Sequence, residues 1–205
     1  MTNPAQARTL AAALWPAEAA ASAVRFVVLA LLGSLVLWLS AKIQVPFYPV
    51  PMTLQTLAIM GLAAAYGSRL AAATVALYLA QGAAGLPVFV GTPEKGIGIA
   101  YMMGSTGGYL LGFLIAAGIV GWFAERGYAR NPFKLFGVMI AADVVIFALG
   151  LIWLGILFGW DKPILEWGLY PFIAGDVTKI ALAALAVPAV WTLVDRWRAR
   201  QRRGG

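Results

Sequence analysis

Two charged residues, Asp176 and Lys179, interrupt the last long apolar stretch of the chain, residues 169–194. They are three positions apart, so on a helix their side chains lie on one face. A charge at the centre of a membrane-spanning helix costs roughly 2.5 to 3.5 kcal/mol on insertion. Two arrangements would offset that cost: an ion pair that only neutralises itself, or a polar ligand. In the second, Asp176 accepts a hydrogen bond from one end of the ligand and Lys179 binds an anion at the other.

The composition indicates that this stretch belongs to a membrane protein. Of the 205 residues, 62% are hydrophobic and 11% are charged, whereas a soluble domain carries about 25% charged residues. The sequence therefore predicts an all-α integral membrane protein with one domain. It contains no cysteine and no histidine, which removes disulfides, thiol chemistry, histidine metal sites and histidine bases. We expect no cofactor and no metal site.

Six apolar segments are predicted to span the membrane, although the second is short against the roughly 20 residues that a spanning helix needs. They are residues 24–41, 52–66, 70–85, 105–124, 133–160 and 169–194. The chain is accordingly divided into a cytoplasmic N-terminal lead-in (1–23), a six-helix transmembrane domain that holds the ligand site (24–194) and a basic cytoplasmic tail (195–205).

Two of the connecting segments have unusual compositions. Residues 42–51 contain three prolines in six positions, which excludes a helix interior and predicts a rigid loop. Residues 86–104 are rich in glycine and proline but also apolar, so we expect a folded loop that packs over a cavity. Together the two irregular loops are predicted to form a lid.

The distribution of basic residues predicts the orientation in the membrane. Eleven basic residues fall in the lead-in, the tail and the connections on the same side, and three (Lys42, Lys95 and Lys162) fall in the opposite loops. By the positive-inside rule both termini are cytoplasmic, and the two irregular loops face outward from a bacterial cytoplasmic membrane. Asp176 then lies roughly 10 Å below the outer end of its helix. The basic tail is expected to contact anionic lipid, and the net charge of +7 is not read as a nucleic-acid site.

The chain carries no sign of its own ATPase activity. Residues 91–96 have the glycine spacing of a phosphate-binding loop, but Ile97 and Gly98 stand where Lys and Ser or Thr must follow. Transport would therefore draw on an ion gradient or on a partner. An enzyme that uses Asp143 and Asp176 as acid and base is disfavoured, because the two carboxylates are expected at different depths. Asp143 is expected to pair with a cytoplasmic arginine or to bond to a neighbouring helix.

Four stretches in the order of the chain resemble one protein family. Residues 45–57 begin Val-Pro-Phe-Tyr-Pro-Val-Pro, residues 85–89 read Gly-Leu-Pro-Val-Phe, residues 104–113 begin Gly-Ser-Thr-Gly-Gly-Tyr, and residues 171–179 read Pro-Phe-Ile-Ala-Gly-Asp-Val-Thr-Lys. Together they are similar to the BioY family, the biotin-binding S components of energy-coupling-factor (ECF) transporters. The resemblance implies a six-helix S-component fold with biotin held beneath the outer loops. It also implies three partners, namely a transmembrane coupling subunit and two cytoplasmic ATPases.

The resemblance also suggests which residues bind biotin. The Gly-Asp-x-x-Lys motif of the family falls on Gly175, Asp176 and Lys179. Asp176 suits the ureido N–H groups of biotin and Lys179 its carboxylate, although the sequence does not fix the orientation of the ligand. The apolar middle of biotin would contact Phe89, Val90 and Tyr101. The full set of predicted binding residues is Asp176, Lys179, Gln55, Gly91, Tyr101 and Ser105.

Departures from the family pattern leave open how the chain docks on a coupling subunit and whether it needs one, and two other functions remain as alternatives. Ala174 and Ser105 stand where the family would have proline, and the small-residue spacing that S components use for docking is poor in the first span, where Leu35 and Trp38 occupy part of the face. An S component for another water-soluble vitamin is one alternative. A gradient-driven secondary transporter is the other.

Overall fold

The computed structural model describes residues 8–16, 19–94 and 96–203. Lys95, the ends of the chain (1–7 and 204–205) and residues 17–18 lie outside the described residues, so the predictions that fall on them stay predictions. The described part forms nine α-helices, two short strands and a 3-10 helix (Tyr128–Arg130). The helices and strands are α1 (Leu10–Leu14), α2 (Ala19–Lys42), β1 (Gln44–Val45), β2 (Met52–Thr53), α3 (Gln55–Tyr66), α4 (Ser68–Ala83), α5 (Gly98–Met102), α6 (Gly107–Ala124), α7 (Pro132–Phe158), α8 (Ile164–Gly168) and α9 (Tyr170–Arg203).

Six of these helices correspond to the six predicted spans, which confirms the predicted helical membrane fold. Four stretches are long and apolar enough to cross a membrane: Ser22–Lys42, Gly107–Ala124, Pro132–Phe158 and Ile164–Gln201. The helices α3 and α4 have 12 and 16 residues, so they are shorter than the roughly 20 residues of a full span. They are joined by a single residue, Gly67, whose φ of 83° favours glycine because a Cβ is strained there.

Glycines allow α6 and α7 to pack closely against each other. A Cβ on Gly108 would lie 2.3 Å from the carbonyl oxygen of Leu149, and one on Gly112 would lie 2.7 Å from the Cα of Ile146. Because lipid is as apolar as the helix surfaces, close packing of this kind is a principal source of attraction between membrane helices. The α6–α7 pair therefore forms a wall against which α3, α4 and α9 pack.

The end of α6 holds the start of α4. The carboxylate of Glu125 accepts hydrogen bonds from the backbone N–H of Ser68 at 2.7 Å and from its hydroxyl at 2.9 Å. A carboxylate at this place satisfies an unpaired N–H group and interacts favourably with the helix dipole. A Cβ on Gly121 would lie 2.5 Å from the backbone of Gly67 and Ser68, so the two helices touch main chain to main chain here.

The two predicted lid loops are ordered and bonded to each other. The proline loop is not wholly irregular, because β1 and β2 form a small antiparallel ladder that pairs Gln44 with Thr53 and Val45 with Met52. The second loop contains the short helix α5. The hydroxyl of Ser105 donates to the carbonyl oxygen of Pro49 at 2.8 Å, which joins the two loops.

The first and last described parts of the chain meet at the other end of the bundle. The guanidinium of Arg25 donates to the carbonyl oxygen of Trp15 at 2.7 Å, and Arg198 donates to that of Ala13. α9 does not end at residue 194 but continues as a helix through the basic segment to Arg203. The predicted boundary at residue 195 therefore marks a change of charge and not a change of structure.

Replacing Gly121 by Ala is expected to lower the stability of the protein. The added Cβ meets backbone atoms that cannot rotate away, and overpacking of this kind costs about 1–3 kcal/mol. Gly118 lies three residues earlier on the same helix and has nothing within 4 Å of a built Cβ, so Gly118→Ala is the matched control. Thermal unfolding in detergent measures both variants. Equal melting temperatures for the two would contradict the close α4–α6 contact.

Candidate functional site

A cavity lies beneath the two loops, between α3, α4, α6, α7 and α9. Its wall combines a small polar corner with a larger aromatic and aliphatic surface, which is the usual composition of a small-molecule site. The lining residues are Val50, Pro51, Thr53, Gln55, Thr56, Tyr78, Phe89, Val90, Tyr101, Thr106, Tyr109, Leu110, Phe113, Ile146, Phe147, Phe172, Asp176 and Lys179.

Asp176 and Lys179 form the polar corner as a direct ion pair. Their side chains are only 6% and 9% exposed, so the pair lies in a region from which most water is excluded. Lys179 also donates to the carbonyl oxygen of Thr53 at 2.9 Å, and the side chain of Thr56 is hydrogen-bonded to Asp176. These bonds matter because a buried ion pair offsets its desolvation only when its remaining donors and acceptors are satisfied. The two charges therefore act as one compact unit with a donor and an acceptor side by side.

A chain of hydrogen bonds connects this corner to the second loop. The hydroxyl of Thr53 donates to Oε1 of Gln55 at 3.2 Å, and Nε2 of Gln55 donates to the hydroxyl of Tyr78 at 2.9 Å. Tyr78 in turn donates to the carbonyl oxygen of Val88 at 3.1 Å. Both polar atoms of the Gln55 amide are thus engaged by the protein, and Gln55 fixes the shape of the cavity wall.

Aromatic rings form the rest of the wall. Phe89 stacks on Tyr101 with ring centroids 4.9 Å apart, and Tyr78 meets the Phe89 ring edge-on at 5.4 Å. Phe147 and Phe172 form a second group, with centroids 6.1 Å apart. Burial raises the pKa of Tyr101 to about 12, so its hydroxyl is neutral and can act as both donor and acceptor. The cavity therefore suits a ligand with a flat or compact apolar body.

The structure brings four of the six predicted binding residues together. Asp176, Lys179, Gln55 and Tyr101 line the cavity, as do Phe89 and Val90. Gly91 and Ser105 are not among the described residues in its wall. Gly91 forms a turn with a φ of 67° directly after Val90. Ser105 lines another cavity beside the proline loop, and its hydroxyl donates to the carbonyl oxygen of Pro49.

Several lining residues were not predicted from the sequence. Thr53 and Thr56 lie close to Gln55 within residues 45–57, one of the stretches that resemble the family. That resemblance was a signal from which both residues could have been predicted to line the site. Tyr78, Tyr109 and Phe147 lie inside apolar spans, where an aromatic residue at helical spacing is indistinguishable from a core residue. Tyr109 also has a structural task, because its hydroxyl donates to the carbonyl oxygen of Gly168 at 2.8 Å and so holds the end of α8.

Asp143 is placed differently from the expectation. It is buried, its Oδ1 has no hydrogen-bond partner among the described residues, and the expected ion pair with an arginine is not formed there. The charges that act on its carboxylate include Asp176 and Lys179. Asp143 does not line the cavity.

The fold and the site define a helical membrane protein with a cavity of small-molecule composition near one end of its bundle. The family model of the BioY family matches residues 9–196, so this chain belongs to the BioY family. The predicted family is thereby confirmed.

Relatives and a solved structure agree with this assignment. The probable biotin transporter BioY of Pyrococcus horikoshii is 36% identical over 145 residues, which cover 71% of this chain and 83% of the relative. The biotin transporter BioY of Thermotoga maritima gives the same figures. The crystal structure of the S-component for biotin from an ECF-type ABC transporter superposes with a TM-score of 0.73 at 24% identity, over 86% of this chain and 95% of that one. The shared fold confirms the predicted S-component architecture.

Removing one member of the Asp176–Lys179 pair is expected to destabilise the fold more than removing both. Asp176→Asn or Lys179→Met leaves the remaining charge buried without its counterion, and breaking a buried pair in this way costs about 3–5 kcal/mol. The double variant leaves no unpaired charge, so its loss should be smaller than that of either single variant. Unfolding of the four proteins in detergent gives the comparison. Strictly additive losses would show that the two side chains do not interact.

Proposed function

We propose that this chain is the biotin-binding component of a biotin uptake transporter. Membership of the BioY family and relatives that are named biotin transporters support this function. The observation that carries it is the cavity itself, which combines a buried donor–acceptor pair with an aromatic wall. Biotin has the same combination, with a polar ureido ring, an apolar bicyclic body and a carboxylate on a flexible chain.

The contact between the two charges supports one orientation of biotin. Assigning Asp176 to the ureido ring and Lys179 to the carboxylate would require the two charges to lie a ligand's length apart, whereas they form an ion pair. We therefore propose that one end of the ligand meets both. The ureido group fits, because its N–H donors and its carbonyl acceptor are neighbours in one ring. In this orientation Asp176 accepts from an N–H group and Lys179 donates to the ureido oxygen.

The remainder of biotin then follows the cavity wall. Its bicyclic body would contact the rings of Phe89, Tyr101 and Phe172, which supply apolar surface and fix the plane of the ligand. The carboxylate would point toward the loops, because a second buried anion beside Asp176 would carry a large desolvation cost. Gly91 and Ser105 would act on the loops and not on the ligand.

Transport would require energy from partner subunits. The sequence has no complete phosphate-binding loop, and we propose a transmembrane coupling subunit with two cytoplasmic ATPases. Leu35 and Trp38 are exposed on α2, so a coupling subunit that docks on α2 in the membrane plane would pack against large apolar side chains. Cells that lack every coupling subunit should not accumulate biotin through this protein. Retained uptake in such cells would contradict the need for partners.

The location follows from the charge distribution. We place the protein in the bacterial cytoplasmic membrane with both termini inside and with anionic lipid at the basic end of α9. The contact of α1 with Arg198 supports termini on one side. Because the chain has no cysteine, single cysteines introduced in the loops can be labelled from either side of the membrane. Labelling of the proline loop only from the cytoplasmic side would overturn this orientation.

Equilibrium binding of biotin to the purified protein tests the function. The unaltered chain should bind biotin more tightly than micromolar, and failure to do so would end the biotin proposal. Asp176→Asn should weaken binding by about 30-fold or more, because lost charge-assisted bonds of buried pairs cost at least 2 kcal/mol. Glu166→Gln makes the same carboxylate-to-amide change at an exposed position outside the cavity wall; it is the control and should bind within about threefold of the unaltered chain.

Binding of biotinamide, which lacks the carboxylate, tests the orientation. If Lys179 meets the ureido oxygen, Lys179→Ala should weaken biotin and biotinamide by the same factor. A much larger loss for biotin than for biotinamide would assign Lys179 to the carboxylate and reverse the ligand.

A further inference from the structure

The segment that closes the cavity toward the loops is residues 86–94, which we call the Phe89 loop. Phe89 and Val90 form part of the cavity wall, and Phe89 is 1% exposed. The ring of Phe89 fills the space above Gly82 of α4, where an added Cβ would lie 2.0 Å from its Cζ atom. The side chain of Phe89 therefore packs the loop against α4, and it fits there only because residue 82 is glycine.

Lys42 holds this loop from outside the cavity. It is the last residue of α2, and its ammonium donates to the carbonyl oxygen of Phe89 at 2.9 Å and to the hydroxyl oxygen of Thr92 at 3.2 Å. The Thr92 hydroxyl donates to the same carbonyl oxygen at 2.6 Å. The loop connects α4 to α5, so these bonds join it to a helix that is distant in sequence.

The charge of Lys42 is directed at the loop. Among the residues that the structure describes, Lys42 forms no ion pair, since the pairs present are Arg130–Asp195, Lys162–Asp161 and Lys179–Asp176. Hydrogen bonds from a charged donor are stronger than bonds between neutral groups. Two acceptors on one turn of the loop share this donor, so the loop cannot lift away from α2 without breaking both bonds.

A second hydrogen bond holds the Phe89 loop. Tyr78, inside the cavity, donates to the carbonyl oxygen of Val88. Adjacent carbonyl groups of the loop are thus bonded to two different helices, one by a residue of the site and one by Lys42. Lys42 does not line the cavity, so any effect on a ligand must pass through the position of Phe89.

We propose that Lys42 is a positioning residue that keeps the Phe89 loop closed over the site and so sets the rates at which biotin enters and leaves. The identity of the ligand rests on the proposed function. The role of Lys42 rests on its own contacts with the loop. Loss of these bonds makes the open position of the loop more populated and speeds passage in both directions.

Association and dissociation rates of biotin test this proposal in the full-length purified protein. Lys42→Met keeps the length and apolar stem of the side chain but removes both bonds. It should raise the dissociation rate about tenfold and also raise the association rate, so that the dissociation constant changes less than the dissociation rate. Lys42→Arg retains donors at the end of the side chain and should restore slow exchange. The control is Lys162→Met, since Lys162 is exposed and pairs with Asp161.

Amide hydrogen exchange of residues 86–94 without ligand provides a test that does not depend on biotin. Lys42→Met should accelerate exchange in this loop but leave α6 and α7 unchanged. Unchanged exchange and unchanged rates would overturn the role of Lys42 while leaving biotin binding intact. A faster dissociation with an unchanged association rate would also overturn it, because it would indicate a lost contact with bound ligand. An unaltered chain that does not bind biotin would refute the proposed function alone.

Discussion

The structure of the site depends on one ion pair in a place where water cannot solvate it. Asp176 and Lys179 neutralise each other, and Thr53 and Thr56 satisfy further hydrogen-bonding groups of the pair. Three elements, β2, α3 and α9, are therefore connected at one point. The requirement that both charges be satisfied explains why an irregular loop and a short helix lie at this depth, since backbone of this kind is tolerated where it lines a cavity.

The helices around the pair are held at the distances that a cavity needs. Glycines bring α6 and α7 together near the loops and bring α6 against the start of α4 at the far end of α6. Aromatic side chains of α4, α6 and α7 line the cavity beside this close packing, and together with the polar corner they enclose the space under the Phe89 loop. The bonds from Lys42 and Tyr78 then close this space, so packing and polar contacts have distinct roles in forming the site.

Much of this arrangement could be predicted from the sequence, because it depends on local patterns. The lengths of the apolar segments predicted the membrane-spanning helices, and the spacing of Asp176 and Lys179 predicted that they share one face. Contacts between distant segments could not be predicted in this way. Three features arise from the packing of distant segments: the Lys42–Phe89 bond, the hydrogen-bonded amide of Gln55 and the electrostatic interaction of Asp143 with the pair. The sequence alone does not give the distances between packed helices. The ion pair itself illustrates the limit, because spacing showed a shared face but did not show whether a ligand separates the charges.

We propose that the paired charges bind the ureido group of biotin together. A structure of the protein with bound biotin tests this proposal through the distances from the ligand to Asp176 and Lys179. We expect an N–H group of the ureido ring at hydrogen-bond distance from Asp176, the ureido oxygen at that distance from Lys179, and the carboxylate beneath the loops. A carboxylate bound to Lys179 with the ureido ring elsewhere would contradict it.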